Sequence, residues 1–98
     1  MHISEKVFLE LLDVPKRKAV SYGELARACG TSARAVGAIM RGNTKPHKYP
    51  CYKVVHETGA VGNYSGTGGK KTKVKLLKKD GVLIKGDFVD EKCMHRFD

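Results

Sequence analysis

The chain lacks any run of about 18 apolar residues, which excludes a membrane-spanning helix. Its opening, Met1-His2-Ile3-Ser4-Glu5-Lys6, lacks the basic-then-apolar layout of a secretory leader. The expected location is therefore intracellular, cytoplasmic and nucleoid-associated, or nuclear in a eukaryote. Cysteine is scarce: Cys29, Cys51 and Cys93 are an odd set without C-x-x-C spacing. That argues against a disulfide framework and suits reduced thiols. His2, His47, His56 and His95 are scattered and form no H-x-x-x-H pair, so no metal and no cofactor is expected. Internal repeats and low-complexity linkers are absent as well. Acidic residues are few, ten against nineteen Lys and Arg, giving a net charge of +9 on 98 residues. A field of that sign on a surface so small draws polyanions, so nucleic acid or an anionic membrane is the expected partner, and a solubility or high-temperature adaptation with no partner is the bland alternative.

What is present suits one compact domain with a modest core, since 41% of residues are hydrophobic. Between Ser4 and Asp13, Val7, Phe8, Leu11 and Leu12 fall at helical spacing, and Asp13-Val14-Pro15 ends that helix. Ser21-Tyr22-Gly23-Glu24 has the capping-box pattern: the Ser21 hydroxyl accepts from the Glu24 amide, and Glu24 reaches back to the Ser21 amide. A short helix follows with Leu25, Ala26 and Ala28 and stops at Gly30. Thr31 or Ser32 then caps another from about Ala33 to Arg41. Two short helices about a tight turn make a helix-turn-helix. On the second, Val36, Ile39 and Met40 face the core, while Arg34, Ala38 and Arg41 face out. Ala33, Ala35 and Gly37 keep it slim enough to approach a phosphate surface.

Residues 42–69 read as loop and turns, with a short strand at Tyr52-Lys53-Val54-Val55-His56. A basic helix from about Lys70 to Lys79 turns Val74 and Leu77 inward, and its lysines read as a solvated face or as phosphate contacts. Val82-Leu83-Ile84 reads as a strand. The domain is expected to span 1–86, with 87–98 an acidic, partly ordered tail. Cys51, in Tyr49-Pro50-Cys51-Tyr52-Lys53, is the candidate nucleophile: Pro50 fixes the backbone, and Lys48 and Lys53 favour the thiolate, the reactive form. The plainer alternative is a small buried apolar residue. Cys29 reads as core and Cys93 as a free thiol in the tail.

Taken in order, Val20-Ser21-Tyr22-Gly23-Glu24-Leu25-Ala26, Ala33-Arg34-Ala35-Val36-Gly37-Ala38-Ile39-Met40-Arg41-Gly42-Asn43, Pro50-Cys51-Tyr52-Lys53-Val54-Val55, Gly59-Ala60-Val61-Gly62-Asn63-Tyr64-Ser65-Gly66 and Leu76-Leu77-Lys78-Lys79-Asp80-Gly81 resemble the C-terminal, DNA-binding and active-site domain of the O6-alkylguanine-DNA alkyltransferases. The resemblance covers roughly residues 4–85. It implies a mainly α domain with short strands, a winged-helix-like helix-turn-helix. The implied activity is single-turnover, irreversible transfer of an alkyl group from a flipped O6-alkylguanine to a protein cysteine. By position, Cys51 matches the acceptor. Arg34 matches the arginine that fills the gap left by the flipped base, and Tyr22 matches the tyrosine that crowds the 3′ phosphate and protonates the departing guanine. Asn43 matches the asparagine bracing the active-site turn; Val54, Tyr64 and Ser65 match the base pocket. Ser32, Ala33 and Arg41 complete the implied DNA-facing set. The implied partner is double-stranded DNA containing O6-alkylguanine, bound by a monomer, and no membrane is implied.

The resemblance departs where it bears on chemistry. The family's histidine after the acceptor, which relays the thiol proton through water to a glutamate, is Tyr52 here, and Asp80 stands at the glutamate's position. A free tyrosine has a pKa of about 10 and is a poor base at neutral pH. Lys16-Arg17-Lys18 also replaces a stretch that usually contains Gly. An alternative implied function is therefore the alkyltransferase-like kind. Such proteins bind and flip the lesion without transfer and signal to excision-repair proteins, but they replace the acceptor cysteine, which this chain keeps. A plain helix-turn-helix regulator docked in the major groove is the third reading.

Overall fold

A computed structural model describes residues 2–45, 48–62 and 68–97. Helix α1 (Ile3–Leu12) starts at His2, whose ring accepts from the Ser4 amide, and buries Val7 and Leu11. Leu12, expected on the same stripe, is half exposed instead. A two-residue strand β1 (Val20–Ser21) leads directly into α2 (Tyr22–Cys29). Ser21 Oγ accepts from the Glu24 amide at 2.9 Å, so half of the expected capping box forms. The other half does not: the Glu24 carboxylate pairs with Arg27 and accepts from the Phe97 amide at 2.7 Å. Gly30 ends α2 with a left-handed φ of 72°, a conformation costly for residues with a Cβ. Ser32 Oγ then caps α3 (Ala33–Arg41) through the Ala35 amide. Helices α1, α2 and α3 pack on one another around Val7, Leu11, Leu25, Ala26, Val36 and Met40, the first of two core clusters.

Past α3 the chain turns through Asn43 to a 3-10 turn, Cys51–Lys53, and then strand β2 (Val54–Val55). β2 pairs in parallel with β1, Val20 against Val54 and Ser21 against Val55. Helix α4 (Gly69–Lys79) packs against the 3-10 turn, and β3 (Ile84–Lys85) and β4 (Phe88–Val89) close an antiparallel hairpin. The predicted strand at 82–84 thus begins later, with Val82 buried and Leu83 exposed. Leu77, Val82, Val89, Val55, Val61, Ala19 and Cys93 form the second core cluster.

The C-terminal segment is no loose tail. After β4 a second 3-10 turn, Glu91–Cys93, buries Cys93. The Ala19 amide donates to Cys93 O at 2.7 Å, and the His95 amide donates to Ala19 O at 2.6 Å. Phe97 lies against the first core. Its acidic residues misdirect a sequence reading because Asp87 and Glu91 are exposed and Asp90 caps the 3-10 turn, while Val89, Cys93 and Phe97 supply the apolar contacts. Residues 88–97 therefore belong to the same body as the helices.

Candidate functional site

The parallel pairing of β1 and β2 assembles the site. β1 delivers Tyr22 at the first turn of α2, and β2 follows immediately on the turn that begins with Cys51. Register carries one residue further, setting the Tyr22 ring 5.5 Å from the His56 ring. Cys51 itself is 6% exposed and belongs to the first core. The chain leading to it is held from several sides. Tyr49 stacks on Phe8 of α1 at 4.6 Å, Asn43 Nδ2 donates to Tyr49 O at 2.9 Å, and Asn43 Oδ1 accepts from the Lys45 amide. The Cys51 amide closes back onto Tyr49 O at 2.7 Å. Asn43 thus braces the turn through its side chain, because an amide group can donate and accept at once.

Electrostatics bind Tyr22, Cys51, Arg41 and Lys73 into one group. Burial pushes the Tyr22 hydroxyl above its ordinary pKa; charge on the Cys51 sulfur adds to the rise and Arg41 opposes it. Tyr22 therefore keeps its proton at neutral pH and remains a donor. Lys73, from α4, is 1% exposed, with Nζ 5.8 Å from the centre of the Tyr22 ring. Burial pushes its pKa down to about 8, and Cys51 pulls it back up. Sequence reading missed Lys73 because it lies in a run of lysines on a helix expected to be solvated. The available signal was its spacing: Lys73 and Leu77 stand four apart, on one face.

The lysines expected to assist Cys51 are engaged elsewhere. Lys53 is buried and turns away, its ammonium donating to Pro15 O at 2.8 Å and pairing with Asp80 Oδ2 at 3.1 Å. Lys48 is exposed, 5.3 Å from the Tyr49 ring centre. Asp80 Oδ2 also accepts from the Arg17 amide at 3.0 Å. The carboxylate thereby pins the end of α4 to the α1–β1 connection, where Arg17 holds a positive φ of 72°. Tyr52, next in sequence to Cys51, packs against the second core cluster, whereas Cys51 lies in the first.

The outer face of α3 presents Ser32, Ala33, Arg34, Ala38 and Arg41 to solvent, while Val36 and Met40 are buried and Ile39 packs against the core. Gly37 leaves room for Arg41, whose guanidinium lies 3.5 Å from where a Cβ would stand. Val54 is fully buried beside Val20. Tyr64 and Ser65 lie outside the described residues. Cys29 is core, as the sequence suggested, and burial raises its thiol pKa. Among the described residues no group of three His, Cys, Asp or Glu gathers as a metal site, and no helix is long and apolar enough to cross a membrane.

Residues 2–82 match the DNA-binding domain family of 6-O-methylguanine DNA methyltransferase. The methylated-DNA–protein-cysteine methyltransferase of Homo sapiens is 46% identical over 81 residues, which are 80% of this chain and 38% of that protein. The chain spans well under half the length of that relative. The crystal structure of O6-methylguanine-DNA methyltransferase from Pyrococcus kodakaraensis superposes with a TM-score of 0.73 at 38% identity, over 84% of this chain and 47% of the other. S. pombe Atl1, solved with damaged DNA containing O6-carboxymethylguanine, gives 0.75 at 27% identity, over 85% of this chain and 79% of the other.

Proposed function

Because the chain belongs to the 6-O-methylguanine DNA methyltransferase family by its match over residues 2–82, we propose that it binds alkylated duplex DNA and takes the alkyl group of O6-alkylguanine onto Cys51. The observation that carries this reading is the placement of Cys51 in a core cluster against which Tyr22, its hydroxyl held protonated by burial, packs at the base of a helix-turn-helix. A duplex hides guanine O6, so the nucleotide must be rotated out at a cost of a few kcal/mol. The exposed, slim face of α3, with Arg34 and Arg41, suits close approach to the backbone and a side chain inserted in place of the lost base. The Cys51 sulfur attacks the alkyl carbon, the carbon–O6 bond breaks, and guanine departs with a proton from the Tyr22 hydroxyl. A thioether has no easy reverse step, so each molecule acts once. The protein works as a monomer in this reading.

A second reading keeps the binding and drops the transfer, leaving a lesion sensor that hands the site to excision-repair proteins. Tyr52 in place of an imidazole supports it, as does the likeness to Atl1 over 79% of that chain. Retention of Cys51 favours transfer. Intact-protein mass spectrometry after mixing with O6-methylguanine DNA decides between them. Transfer predicts a gain of one methyl group, mapped to Cys51 and lost in Cys51→Ala, which still binds the DNA. No gain in the native protein overturns the acceptor reading and leaves the sensor.

A further inference from the structure

The register of the parallel pair, Ser21 against Val55, brings the next residues, Tyr22 and His56, side by side. His56 is fixed from its own side by a tight turn. Its amide donates to Ala60 O at 2.9 Å, and the Gly59 amide donates back to His56 O at 2.8 Å. The imidazole lies against the Tyr22 ring, with centroids 5.5 Å apart and planes inclined at 46°. It also meets backbone, since a Cβ on Gly62 would stand 2.5 Å from His56 Nε2. From these contacts we infer that His56 is a positioning residue, which fixes the orientation of the Tyr22 ring, and with it the hydroxyl, against the corner at Gly62. The inference deepens the acceptor reading above and rests on it for the task of Tyr22, though the ring contact is a property of the protein alone.

Tyr22 needs such a hold. It is the first residue of α2 and only half-buried. A phenol turns about two side-chain torsions, so a donor aimed at one oxygen must have both set by its neighbours. The first core takes part of the ring, and Lys73 brings its Nζ to 5.8 Å from the ring centre. Among the described residues, the ring that meets Tyr22 is that of His56. Aromatic pairs prefer defined offsets and inclinations, so this contact sets an angle as well as a distance. The next residue repeats the grip: the Glu57 carboxylate fills the space that a side chain on Gly23 would need. Residues 56 and 57 of the turn thus cover residues 22 and 23 of the helix.

His56 is exposed, so its ring is not there to fill a core. Gly62, with a left-handed φ of 71°, immediately precedes in sequence the segment that holds Tyr64 and Ser65. The imidazole therefore joins the proton donor to the residue from which the implied base-pocket segment departs. Its contribution is geometric, and the proton given to guanine remains that of Tyr22. Geometry suffices for a large effect, because a misplacement of about 1 Å can slow a reaction on the order of a hundredfold.

The test compares native protein with His56→Ala, which removes the ring, and His56→Phe, which keeps a ring without its nitrogens. Each is checked for folding by circular dichroism, with His56→Ser used if the Ala variant does not fold. Three quantities are read: affinity for O6-methylguanine DNA, the single-turnover rate of methyl transfer at saturating DNA, and the fluorine resonance of Tyr22 in protein labelled with meta-fluorotyrosine. That resonance is assigned by its loss in Tyr22→Phe. For His56→Ala the expected result is transfer slower by about tenfold, affinity changed by less than about twofold, and a Tyr22 line broadened by motion of the ring. His56→Phe should return the rate to within about threefold of native and sharpen the line again. A native rate in His56→Ala, a Tyr22 line as sharp as native, or a failure of His56→Phe to restore both overturns the inference. A loss of affinity at an unchanged saturating rate assigns His56 to DNA contact and overturns it too. If native protein never accepts methyl, the acceptor reading falls and the line alone decides: broadening in His56→Ala that His56→Phe reverses supports the hold on Tyr22, and an unchanged line overturns it.

Discussion

Two lysines are buried, Lys53 in the turn that begins with Cys51 and Lys73 on the helix packed against that turn, and their surroundings differ. At one junction Lys53 is surrounded by oxygen: Asp80 Oδ2 at 3.1 Å, Pro15 O at 2.8 Å and Val14 O at 3.5 Å. That site compensates the charge and, through Asp80 and the Arg17 amide, ties α4 to the start of the β1 segment. At the other junction Lys73 is buried with its Nζ 5.8 Å from the centre of the Tyr22 ring, and its proton is held more loosely than in water. A buried cation tied to a carboxylate is a fastener; a buried cation whose proton is loosened titrates closer to neutral pH.

The largest stability effect is expected at the fastener. Asp80→Ala leaves the Lys53 ammonium without its carboxylate and the Arg17 amide without its acceptor. Breaking a buried pair from one side costs about 3 kcal/mol or more, to be read as a lowered urea midpoint at unchanged slope. A loss below about 1 kcal/mol would mean that Asp80 is not the carboxylate that holds this junction, and the distinction between the two lysines would blur.

The contrast also explains what was legible in the sequence. Local grammar was readable: Ser21, Gly30 and Ser32 punctuate α2 and α3 as their chemistry dictates, and Val36 and Met40 turn inward by spacing. Motif order pointed to Cys51, Tyr22 and Asn43, which the fold gathers around one turn. Long-range pairing was not readable. Only its four-residue spacing from Leu77 distinguishes Lys73 from the solvated lysines around it, and nothing local reveals that Lys53, two residues after Cys51, reaches across to Asp80. The end of the chain was misread for the same reason, since its partners are Ala19 and Glu24, far away in sequence.

A smaller effect of opposite sign is expected at Lys73. In Lys73→Met an apolar chain of similar length replaces a buried charge, which commonly stabilises by about 1–4 kcal/mol. The sign with pH follows from a folded pKa of about 8 against 10.5 unfolded. Between those values the unfolded chain binds more protons, so native stability rises with pH relative to the variant. The penalty, on the order of 3 kcal/mol, is fully present below about pH 8 and recovered by about pH 10.5. Tyr22 and Cys29, raised by burial, lose stability at high pH, but both proteins contain them. The advantage of Lys73→Met in thermal melts should therefore shrink from pH 7 to pH 10.5. An advantage independent of pH would remove the titrating lysine from the account.

The smallest effect belongs to a third lysine, which calibrates the other two. Lys70, one turn before Lys73 on the same helix, meets Asp87 at 3.0 Å, with both side chains largely in water. By distance alone that contact equals the Lys53–Asp80 pair. Water screens it, and two long side chains must be fixed to keep it, so Lys70→Ala should cost less than about 1 kcal/mol and less still at high salt. The comparison with Asp80→Ala then isolates burial, since the separations match. If both substitutions cost the same, contact distance governs these ion pairs rather than their surroundings, and burial does not separate Lys53 from Lys70.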